Sequence, residues 1–90
     1  MLWRADPPRA RRLVALDGLS LIYHRPSGMT HVVAPPMPEI LDALGEGPAD
    51  VADIVSRLAA RFDIADPADA EAVVSARLAE LAERGLVFAA

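Results

Sequence analysis

The hydrophobic period of this chain changes once, just after Ala34, and that change constrains the fold more than any motif does. Before it, apolar residues fall in short runs with a period near two, as strands require. After it they recur at three and four, the spacing of a helix's buried face. Strands gathered in front of helices do not build alternating β-α-β units, so the expected class is α+β.

The front part resolves into a meander. Arg12-Leu13-Val14-Ala15-Leu16 and Leu19-Ser20-Leu21-Ile22-Tyr23-His24 flank Asp17-Gly18. A type I′ turn needs positive φ at both central positions, and Asp-Gly supplies it at low cost, so the pair predicts a hairpin. Arg25-Pro26-Ser27-Gly28 is a second turn signal, with proline fixing φ and glycine relieving the left-handed position. Met29 to Ala34 then reads as a third strand, ended by Pro35-Pro36. Residues 1–12 are rich in Pro and Arg and are expected to be partly irregular, with room for a short strand around Leu2-Trp3-Arg4.

Three helices follow. Met37, Ile40, Leu41 and Leu44 share one face of a short helix that Gly45 is expected to stop. Asp50 caps a second, with Val51, Ile54, Val55, Leu58 and Phe62 as its apolar stripe. Asp66-Pro67 opens a third, Asp at the N-cap and Pro at the first helical position, where a missing N–H is harmless. Its stripe is Ala70, Val74, Leu78 and Leu81, and Gly85 closes it. Leu86-Val87-Phe88 reads as a short terminal strand or an apolar plug. The prediction is one domain over residues 1–90, a three-stranded antiparallel meander followed by three helices.

Composition excludes several functions. The chain has no cysteine, hence no disulfide frame, thiolate metal site or cysteine nucleophile. At 53% hydrophobic it is not a disordered segment. A domain of 90 residues buries roughly two-thirds or less of its unfolded surface, which leaves one core and one shallow groove. Asp6 and Pro7-Pro8 interrupt any secretory signal, and no apolar run approaches the ~20 residues of a membrane span. The expected location is the cytoplasm, with no membrane partner.

No catalytic constellation is legible. His24 and His31 end adjacent strands, but a zinc site would need two further ligands, and no Cys or local Asp/Glu cluster offers them. Asp50, Asp53, Asp66 and Asp69 lie in helix first turns, where they complement the macrodipole. Ser20, Ser27, Ser56 and Ser75 have no nucleophile-elbow setting. The chain is expected to be a binder without cofactor or metal.

Surface remains. A meander has two edges, and the third strand is one of them, rich in β-branched residues and open to an extended peptide. On the third helix, with Val74 at the centre, Arg77 lies at about −60°, Arg84 at about −80° and Val73 at about −100°. Charge sharpens the contrast. Residues 1–31 carry a balance of +3, and residues 32–90 one of −7. A winged-helix DNA-binding module is the alternative by topology, but an acidic helical half without lysine is a poor phosphate reader. No nucleic-acid partner is expected.

The order of elements resembles the small PqqD-like peptide chaperones. Trp3 near the start, the strand–Asp17-Gly18–strand pair, Ser27-Gly28-Met29-Thr30-His31 and Glu39-Ile40-Leu41-Asp42-Ala43-Leu44 carry the likeness. Pro48 to Ile54 and Leu81-Ala82-Glu83-Arg84-Gly85-Leu86-Val87 extend it over nearly the whole chain. The Ser-Gly-x-Thr-His stretch is typical of the subgroup called the HPr-rel-A system. Pro35-Pro36-Met37-Pro38 departs from the family, being more proline-rich than its usual entry to the first helix. The resemblance implies a winged-helix-like RiPP recognition element of natural product biosynthesis. In such a domain a leader peptide adds to the third strand and lies against the third helix. Carried onto this sequence, the peptide-binding residues are Thr30, His31, Val32, Val33 and Ala34 on the strand and Val73, Arg77 and Arg84 on the helix. The implied partners are a leader or precursor peptide and a modifying enzyme, with an HPr-kinase-related protein as the subgroup's neighbour. Either a monomer or a homodimer is compatible with an open edge.

Overall fold

The computed structural model describes residues 1–64 and 66–90. A short strand β1 (Trp3–Ala5) leads through a 3-10 turn (Pro8–Ala10) into β2 (Arg11–Leu16), β3 (Leu19–His24) and β4 (Met29–Val33). Helices α1 (Met37–Leu44), α2 (Val51–Ala59) and α3 (Pro67–Glu83) follow, and β5 (Val87–Ala89) closes the chain. The class is α+β as expected, with an antiparallel sheet in the order β2-β3-β4. Among the described residues no helix is long and apolar enough to cross a membrane.

The turns form as their residues require. Asp17 and Gly18 have φ of 40° and 82°, the left-handed pair of a two-residue hairpin, and they set Leu16 opposite Leu19. That register turns Ile22, His24 and Val33 inward, where all three are buried. Val14, Leu16, Leu19, Tyr23 and Val32 point to the opposite face and are exposed. The core lies between the inner face and the helices, built on Ile22, Ile40, Leu41, Ile54, Leu78 and Leu81. Each such side chain contributes ~1.5–3 kcal/mol by leaving water.

The remaining elements are tied by side-chain chemistry. Asp50 caps α2 by accepting from the Asp53 N–H at 2.8 Å. Asp66 caps α3, accepting from Ala68 and Asp69. Arg57 reaches back from α2 and donates to the carbonyls of Ala43 (2.9 Å) and Gly47 (2.7 Å). It thereby satisfies the Gly47 carbonyl and adds a second bond to that of Ala43, which also accepts from the Glu46 N–H.

Two local expectations are sharpened and a third is corrected. β1 pairs antiparallel with β5, Trp3 opposite Ala89, so the chain's two ends form a second sheet of their own. Gly45 follows the last residue of α1 as expected, but with a φ of −62°, and the left-handed geometry falls on Gly47 at 130°. A Cβ at Gly45 would lie only 3.0 Å from the Asp42 carbonyl oxygen. Phe62 is not a core residue. α2 stops at Ala59, and the turn after it tightens, with the Arg61 and Phe62 N–H groups both donating to Leu58 O. Phe62 is half exposed.

Candidate functional site

The site begins with the arithmetic of the ladder. A two-residue turn makes Leu16 and Leu19 a hydrogen-bonded pair, and such pairs alternate along antiparallel strands. Leu19, Leu21 and Tyr23 therefore bond to β2, while Ser20, Ile22 and His24 bond to β4. Their partners on β4 are Val33, His31 and Met29. The main-chain groups of Thr30, Val32 and Ala34 consequently point away from the sheet.

Val32 and Ala34 among them face α3 across a cleft of 230 Å³ lined by Val32, Val33, Ala34, Arg77, Glu80 and Arg84. The helix packs on α1, α2 and β5, and its backbone stands off β4. Arg84 bridges the gap by donating from Nη1 to the Val32 carbonyl at 3.3 Å. The Ala34 carbonyl accepts from the Met37 N–H at 3.0 Å, which turns the chain into α1. The N–H groups of Thr30, Val32 and Ala34 and the Thr30 carbonyl have no such partner among the described residues.

Charge in the cleft is local and incompletely paired. Arg77 meets Glu80 at 3.1 Å, one helical turn on, yet its Nε is buried without a hydrogen bond. His31 Nε2 is likewise buried and unpartnered. Burial, with the positive charge of Arg84 and the nearby His24 adding to it, holds the His31 imidazole below its ordinary value of 6.5. The cleft thus holds two arginines, and a histidine that resists protonation sits on the same strand outside it.

An apolar hollow of 400 Å³ adjoins the cleft at Pro35. Leu58, Phe62, Ile64, Val73 and Val74 line it, and Glu39 Oε2 is buried there without a partner. Of the eight residues the sequence singled out, Val32, Val33, Ala34, Arg77 and Arg84 line the first cleft and Val73 the second. Thr30 and His31 belong to the same strand but line neither space. Sequence reasoning missed Pro35, which separates the two spaces, and the exposed Phe62, whose helical spacing disguised it as core.

It also missed a buried polar chain behind the edge. His24 lies between Asp6 and Ser27, its Nε2 2.7 Å from Asp6 Oδ2 and its Nδ1 2.8 Å from Ser27 Oγ. Ser27 also accepts from the Met29 N–H at 3.3 Å, so the network pins the N-terminal segment to the β3–β4 turn. Arg11 completes this anchor by donating to the carbonyls of Asp6 and Leu41. Burial lowers its guanidinium pKa, and Asp42 and Asp6 oppose that shift. Among the described residues no three His, Asp or Glu side chains gather as a metal site would need.

A meander with one edge walled by a helix, and three helices behind it, defines a small sheet-edge module. The chain belongs to the PqqD family: the model of coenzyme PQQ synthesis protein D matches residues 21–87. Two solved structures share its fold. Lasso peptide synthetase B1, complexed with the leader peptide, is 21% identical with a TM-score of 0.64, over 97% of this chain and 98% of that one. TbiB1, in complex with the TbiA(beta) leader peptide, is 20% identical with a TM-score of 0.66, over 97% and 99%. None of the curated proteins matches the chain by sequence.

Proposed function

We propose that this protein is a RiPP recognition element: it captures a leader or precursor peptide as a fourth strand on β4 and presents it to a modifying enzyme. The observation that carries this reading is the row of outward main-chain groups at Thr30, Val32 and Ala34, the last two facing α3 across the cleft. An added strand would bond to these groups in a largely sequence-tolerant way, while the helix wall and the apolar hollow would select side chains. Family membership supports it, as do two structures of the same fold that hold leader peptides. The bond-making chemistry belongs to the partner enzyme, for which an HPr-kinase-related protein is the first candidate.

Isothermal titration with peptides drawn from a displayed library of random 12-residue sequences tests the reading. Peptides selected on the wild-type chain should bind it and lose binding to Val32→Pro. Equal binding to both chains would place the peptide elsewhere.

A further inference from the structure

We infer that the peptide accepted by β4 carries a carboxylate side chain, and that Arg84 is the residue that reads it. This rests on the strand-addition reading and adds to it the chemistry of the ligand. Arg84 now donates to the Val32 carbonyl. An incoming strand must take that same carbonyl, since neighbouring strands lie ~4.8 Å apart and Val32 O points into the cleft. The guanidinium therefore has to leave as the peptide enters.

Where it goes is limited. Arg84 caps the C-terminal end of α3, and its side chain is tethered beside the cleft mouth. Arg77 lies seven residues earlier on the same helix face, about 10 Å away along the axis. It cannot absorb the displaced charge, and it already has Glu80 on one side and a buried Nε with no partner on the other. Glu80, one turn before Arg84, already pairs with Arg77, and no other acidic side chain among the described residues lines this cleft. His31, close enough for Arg84 to depress its protonation, offers no negative charge either. Entry of a neutral strand would thus exchange a charge-assisted hydrogen bond for a guanidinium satisfied by water alone. An Asp or Glu on the peptide removes that loss and can accept from the planar fork of Arg84 in bidentate fashion.

The same contact has a use before any peptide arrives. By occupying the Val32 carbonyl, Arg84 blunts the edge against pairing with a second copy, a common protection of exposed strands. One side chain thus guards the edge and selects what may open it.

The test uses a phage-displayed library of random 12-residue peptides, selected in parallel on the wild-type chain and on Arg84→Gln. Arg84 is exposed at a helix end, so the variant should keep its circular dichroism and melting curve. Wild type should enrich peptides with Asp or Glu at one fixed position, and Arg84→Gln should not. Changing that residue to Asn or Gln should weaken binding to wild type about tenfold and leave binding to Arg84→Gln unchanged, which isolates the pair. Enriched peptides without an acidic preference, or an equal loss on both chains, would overturn the inference while leaving strand addition standing. If neither chain enriched any peptide, strand addition itself would be wrong, and this inference with it.

Discussion

The meander has two edges, and only one of them has the surroundings that the proposed binding needs. β2 and β4 both flank β3 and both present unpaired main-chain groups, Leu13 and Ala15 on one side, Thr30 and Val32 on the other. By strand propensity they differ little. β4, however, looks across a cleft at α3, with Arg84 on its carbonyl and Arg77 further along, whereas no residue of β2 lines that cleft or the adjoining hollow. An edge by itself is a generic hazard of sheets. A helix wall across a cleft is what sets β4 apart as the proposed site.

The sharpest way to break this comparison is to spoil each edge in turn. Val32→Pro deletes an outward N–H without touching the β3–β4 ladder, because proline is tolerated where a strand faces solvent. Peptide binding by titration should fall about a hundredfold, given ~1–3 kcal/mol for a main-chain bond left unmade and the ring's bulk besides. Leu13→Pro makes the equivalent change on β2 and should leave binding at the wild-type value. A second substitution separates the site from its anchor. His24→Ala strands Asp6 and Ser27 without their shared partner and should cost about 2 kcal/mol in denaturant unfolding, with peptide affinity kept.

Smaller effects refine the picture. Arg77→Glu reverses charge on the helix wall beside Glu80 and should weaken an acidic peptide about tenfold, while the same change at exposed Arg12 on β2 should do nothing. The smallest effect concerns pH. Burial, Arg84 and His24 keep the folded-state pKa of His31 below 6.5, so the unfolded chain binds that proton more readily. The resulting stability is present above pH 6.5 and is lost as pH falls through the lower folded value. The melting temperature should therefore drop slightly between pH 7 and pH 5, and less in Arg84→Gln.

Much of this was legible in the residues. Asp17-Gly18 set the register of the whole meander, and register decides which groups of β4 face outward. Helical spacing put Val73, Arg77 and Arg84 on one flank. What periodicity does not carry is distance between elements: that Arg84 meets Val32, 52 positions earlier, depends on how α3 packs against α1 and α2. The β1–β5 pair escaped for a related reason, since three-residue strands at opposite ends of a chain leave no local signal. Phe62 misled because its position fits a helix that continues, and the helix ends three residues before it.

Amide hydrogen exchange, read residue by residue with and without a library-selected peptide, tests the central claim most directly. Strand addition at β4 predicts that the amides of Thr30, Val32 and Ala34 become protected on binding, while those of Leu13 and Ala15 exchange as before. Protection at Leu13 and Ala15, or none along Thr30 to Ala34, would contradict it.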